Sequence, residues 1–164
     1  AGVSKATLYS YFSDKRLLFR EVVRAECDRQ ACEAGELVGV TCAPERVLYE
    51  TAHRIMAIIL SEFSVQMFRI CVAESERFPE LGQEFYESGP LVLKTRLQEY
   101  LEGARDRGEL RIDDVSLAAD QFAELCKAGW MLRAIFMHER DISDEEKDRF
   151  TQGAVDTFMA RYGV

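Results

Sequence analysis

The chain has 164 residues, 48% of them hydrophobic and 30% charged, with a net charge of −8; these values describe an ordinary globular domain and exclude collagen-like, low-complexity and disordered chains. No window holds the ~18 uncharged apolar residues that a membrane span needs, because Arg54, Glu62, Arg69, Glu74 and Lys127 interrupt the most hydrophobic stretches. The charge is uneven: residues 1–24 carry five basic against two acidic side chains, +3, which leaves −11 for the remainder. An acidic body repels phosphate, so any nucleic-acid contact belongs to the N-terminal end.

Five cysteines, Cys27, Cys32, Cys42, Cys71 and Cys126, are odd in number, and most sit in apolar helical patterns where a thiol acts as a small hydrophobe. The chain therefore reads as reduced and cytoplasmic. It opens on Ala1-Gly2-Val3-Ser4, with neither a signal peptide nor a methionine, and is expected to lack an upstream segment.

With only three prolines and no Asn-Gly or Asp-Gly hairpin signal, helix is the default. Ser4 caps a short helix to Phe12. Ser13-Asp14 caps a long one with apolar Leu17, Leu18, Val22, Ala25 and Ala31, stopping at Gly35. A third starts near Pro44 and carries Val47, Leu48, Thr51, Ala52, Ile55, Ile58, Ile59 and Phe63 on one broad face. The run from Val65 to Val72 is apolar nearly all round; a strand would also fit it, but nothing nearby could pair with one, so a central helix is expected. Pro79 and Gly89-Pro90 bracket a short helix containing Phe85 and Tyr86. Leu93, Leu97, Tyr100, Leu101 and Ala104 mark another, ending near Gly108. Asp113 or Asp114 then caps a helix expected to reach His138 and to bury two faces. Ser143, followed by three acidic residues, starts the last helix, with Phe150, Ala154, Phe158 and Tyr162 in one stripe. The fold class is all-α.

The segment Ala1 to Phe19 has the organisation of the second half of a helix-turn-helix: Gly2 supplies a positive φ, Val3, Leu8 and Phe12 anchor inward, and Lys5, Thr7, Tyr9 and Tyr11 point outward. Ala-Gly-Val-Ser-x-x-Thr-Leu-Tyr-x-Tyr-Phe-x-x-Lys-x-x-Leu-Phe closely resembles the TetR family of transcriptional regulators. Arg69 to Leu81 and Phe85 to Pro90 are similar to its AefR-type C-terminal subgroup. The resemblance implies an incomplete DNA-binding domain at 1–19 and a helical ligand-binding and dimerisation domain at 20–164. It further implies that Lys5, Ala6, Thr7, Tyr9 and Ser10 approach base edges while Tyr11 and Lys15 reach phosphates. Packing between short helices is the competing role for Tyr9 and Tyr11.

No catalytic or metal constellation stands out. His53 and His138 lack i,i+4 ligand spacing, the Cys27/Cys32 gap does not place two thiols on one face, and no P-loop, G-x-S-x-G elbow or G-x-G-x-x-G turn occurs. Glu74, Glu76 and Glu80 with Arg69 and Arg77 read as a solvated charge face. No cofactor, metal or membrane partner is expected.

Met56, Phe63, Met67, Phe68, Cys71, Phe122, Trp130 and Met131 form an apolar surplus. Each could simply fill a core. Taken with the resemblance, together they imply a cavity for a small hydrophobic effector. Phe136, Phe150, Gly153, Ala154 and Phe158 are expected at a homodimer interface built from the last two helices. The expected function is that of a repressor whose binding to a double-stranded operator responds to the effector; a helical small-molecule-binding or interaction module without DNA binding is the alternative.

Overall fold

The computed structural model describes residues 43–139 and 141–164, together with Glu21, Val22 and Ala25, which are helical and exposed. The expectations on the turn, the reader helix and the rest of the 14–35 helix, with Lys5, Ala6, Thr7, Tyr9, Ser10, Tyr11 and Lys15, lie outside the described residues.

Among the described residues the architecture is a bundle of helices, as the sequence patterns require. Helix α1 (Pro44–Leu60) has proline in its first turn, where the missing N–H costs nothing, and Glu45 against the positive end of the dipole. It buries Val47, Leu48, Ala52, Ile55 and Met56. The expected face does not continue to Phe63 on this helix. Ser61 adopts ψ 145° and caps a new helix, α2 (Glu62–Glu74), by accepting from Ser64 N at 3.1 Å, so the chain bends by 60°. Helix α2 is also not central: only Val65 and Cys71 are buried, and Val72 is 60% exposed. Its all-round apolarity is shared between the bundle and an outer surface.

Pro79 and Pro90 open α3 (Pro79–Ser88) and α4 (Pro90–Asp106). Gly108 leaves α4 with φ +75°, a left-handed turn that a Cβ would strain, and Glu109 N closes on Ala104 O at 2.9 Å. Asp114 caps α5 (Val115–Lys127) through Leu117 N at 2.9 Å. The helix expected to reach His138 instead breaks at Gly129, φ +77°. A short helix, α6 (Trp130–Leu132), follows and runs into a π-helical turn, Arg133–Met137, which ends at His138 in the left-handed region. Ser143 caps α7 (Asp144–Tyr162) through Glu146 N at 3.2 Å.

The core joins α1, α4, α5 and α7 through Leu48, Ile55, Leu101, Phe122, Val155 and Phe158. Phe122 meets Phe158 edge-on at 5.2 Å, and Tyr162 donates to Gln121 Oε1 at 2.6 Å. A smaller cluster packs Trp130 with Met56 and Ile142, and Phe150 meets the indole edge-on at 5.4 Å. No single helix among the described residues is long and apolar enough to cross a membrane.

Candidate functional site: a cavity between α1 and α5

A cavity of about 590 Å³ lies between α1, α2, α3, α4 and α5, closed on one side by the segment after Gly129. Each wall follows from a local pattern. Ile55, Ile58 and Ile59 recur at helical spacing on α1; Phe63, Val65, Phe68 and Cys71 do so on α2, turned toward the same space by the bend at Ser61. Phe85 and Tyr86 come from α3, Val92, Leu93 and Leu97 from α4, and Asp120, Ala123, Glu124 and Lys127 from α5. Met131 and Ile135 complete the lining. A volume of this size between helices, apolar with a few convergent polar groups, suits a small organic molecule.

Of the eight residues singled out for this role, Phe63, Phe68, Cys71 and Met131 line the cavity. Phe122 does not: it is fully buried against Phe158. Met56 and Trp130 fill the smaller cluster, where the Thr151 hydroxyl donates to the Met56 thioether at 3.5 Å. Met67 is half-buried and outside the lining. The aromatic and methionine surplus is therefore split between space-filling and cavity.

The polar members were missed. Lys94 Nζ donates to Asp120 Oδ2 at 2.7 Å, and Lys127 pairs with Glu124. The hydrogen bond to Asp120 holds the Lys94 ammonium above its usual range. Lys127 could have been found, since it interrupts an otherwise apolar run; Lys94 and Asp120 stand 26 residues apart with no shared pattern. Burial raises the Cys71 thiol, and pushes that of Cys126 up to about 12, so neither is an activated nucleophile.

The dimer residues also divide. Phe158 is 1% exposed and Ala154 3%, both packed within one chain, where the α7 stripe turns inward onto α1 and α5. Phe150 is half-buried beside Trp130. Phe136 is 75% exposed, and a Cβ at Gly153 would meet nothing within 4 Å.

His53 Nε2 lies 3.1 Å from Asp148 Oδ1, which also accepts from Tyr49 Oη at 2.6 Å, clipping α1 to α7 at the surface. Among the described residues no three His, Cys, Asp or Glu side chains converge as a metal site would require. Arg69 leaves the expected charge face for the π-helical turn.

A model of the AefR-like transcriptional repressor C-terminal domain matches residues 46–164. A TetR-family transcriptional regulator from Mesorhizobium loti shares 28% identity at a TM-score of 0.89, over 99% of this chain and 82% of that one. The flavonoid-responsive regulator FrrA shares 32% identity at a TM-score of 0.77 over the same proportions. A TetR regulator from Agrobacterium tumefaciens, at 23% identity and a TM-score of 0.76 over 99% of this chain and 79% of that one, shares the fold. No curated protein sequence matches the chain. The repressor-domain match covers most of the chain and the two nearer structures span nearly all of it, so the chain belongs to the TetR family of transcriptional regulators, with an AefR-like C-terminal domain.

Proposed function

We propose that the protein is a dimeric transcriptional repressor, acting in the cytoplasm, whose hold on a double-stranded operator is controlled by a small, largely apolar effector in the α1–α5 cavity. The cavity is the observation that carries the reading: a largely apolar concave volume of about 590 Å³ between five helices, with a few polar groups converging on it, is the kind of space that takes a small organic molecule. FrrA, 32% identical, is a flavonoid-responsive regulator, and a response to a molecule of that size is compatible with about 590 Å³. The DNA contacts are assigned to Lys5, Ala6, Thr7, Tyr9 and Ser10 on bases and to Tyr11 and Lys15 on phosphates. The partner in the dimer is a second copy, meeting the exposed apolar Leu132, Phe136 and Met137.

A ligand can move the DNA heads only if it binds one arrangement better, and a coupling of about 1–3 kcal/mol changes operator affinity roughly 5–150-fold. The test is fluorescence anisotropy of a labelled duplex from upstream of the source gene, across about 50 to 200 mM salt. Affinity should fall steeply with salt. Lys15→Ala should weaken all duplexes alike, whereas Lys5→Ala or Thr7→Ala should also relax base preference. Salt-independent binding, or none, would favour a ligand-binding module without DNA recognition.

A further inference from the structure

The cavity is chemically lopsided. Its α1 and α2 walls offer Ile55, Ile59, Phe63 and Phe68, whereas the α4–α5 side carries the Lys94–Asp120 ion pair, with Glu124 and Lys127 paired one and two turns further along α5. The two partners of the first pair are unequally placed. The Lys94 side chain is 23% exposed and that of Asp120 54%. Asp120 can therefore swing into water at little cost, because it is already largely hydrated and an ion pair at such a position contributes little. The Lys94 stem lies along the apolar lining and its ammonium, kept charged by the bond to Asp120, stays at the solvent-facing edge of the cavity, where a ligand carboxylate can replace the aspartate without the lysine having to move. A ligand cation would face the converse problem, since it would have to turn the less exposed Lys94 out of the wall. A neutral molecule would leave the pair closed and use the apolar walls alone.

We infer that the effector is an acidic amphiphile, an apolar body bearing one carboxylate that takes the place of Asp120 on Lys94 while the body lies against α1 and α2. This rests on the cavity being the effector site. Three probes of equal chain length separate the possibilities: decanoate, decan-1-ol and decyltrimethylammonium, each titrated below its aggregation concentration into the full chain by isothermal calorimetry.

Decanoate should bind at least tenfold tighter than decanol. Asp120→Asn, which weakens the competing intramolecular partner, should tighten decanoate and leave decanol unchanged. Lys94→Met, which keeps an apolar stem at a partly exposed helical position, should reduce the preference without losing decanol, Arg96 and Lys127 being cations that remain in the lining. Equal or tighter binding of decanol or of the cation, or a preference that Lys94→Met leaves undiminished, would overturn the inference while leaving the cavity reading intact. If none of the three binds, the inference fails, and the cavity reading fails with it if a polycyclic aromatic probe of flavonoid size does not bind either.

Discussion

Arg69 on α2 donates from Nε to the main-chain oxygen of Ile135 at 2.9 Å, a contact that spans 66 residues. Its Nη2 donates to the oxygen of Ala134 at 3.1 Å and also to that of Ile135, and Nη1 lies 3.4 Å from His138 Nδ1. A π-helical turn is sparsely stabilised by its own ladder, and the planar guanidinium meets its carbonyls with several donors held in one fork. Ile135 lines the cavity while Phe136, its neighbour, faces outward. The arginine thus fixes a segment with one face in the candidate site and the other on the candidate dimer surface. Arg69→Met should cost about 1 kcal/mol or somewhat more in denaturant unfolding, because part-buried carbonyls lose their donors. Arg69→Lys should recover only part of that, since an ammonium has no fork.

Phe158 and Phe136 should respond in opposite ways. Phe158→Ala empties a site between Phe122 and Tyr162 and should destabilise by about 3–5 kcal/mol. Phe136→Glu alters a side chain already in water, so stability should change by less than about 0.5 kcal/mol, while light scattering should show loss of dimer. A stable, still dimeric Phe136→Glu protein would remove this residue from the interface.

The clip between α1 and α7 gives a pH dependence of known sign. The hydrogen bond from Tyr49, then that from His53, holds the Asp148 carboxyl below the usual carboxylate range. A group with a depressed folded value contributes stability above its unfolded value, about 3.9, and loses it as pH falls through the folded one. The same bond raises the Tyr49 phenol, whose contribution is complete below about pH 10 and is lost above it. Denaturation midpoints of the parent and Asp148→Asn proteins should differ most between about pH 5 and 9 and converge below about pH 4. An offset that persisted unchanged below about pH 4 would show that the clip does not couple to folding.

The thiols provide a label-based check on the cavity. Cys126, with its pKa pushed up to about 12 by burial, should resist iodoacetamide at pH 8 until the chain unfolds. Cys71 lines the cavity and donates weakly to Leu81 O at 3.8 Å, so an occupied cavity should slow its alkylation. Peptide mass spectrometry with and without decanoate distinguishes the two sites. Equal protection of both by ligand would point to global stabilisation instead.

What the sequence determined by itself was local. Pro44, Pro79 and Pro90 start helices because their ring fits the first turn, and Asp114 and Ser143 cap theirs because a short side-chain oxygen reaches a free N–H three residues on. The all-α class and most element boundaries follow from such signals, none of which needs a distant partner. The breaks at Ser61 and Gly129 were less legible, because either residue is tolerated inside a helix and only the packing on both sides decides whether the chain turns there. The cavity lay beyond local patterns altogether. Periodicity identifies an apolar face, but whether that face meets a neighbour depends on the distance between helices far apart in sequence. That is why Phe122, with Phe158 at 5.2 Å, is core, while Phe63 and Phe68 line open space. Lys94 met Asp120, and Arg69 met Ile135, only once tertiary packing had closed 26 and 66 residues of chain between them.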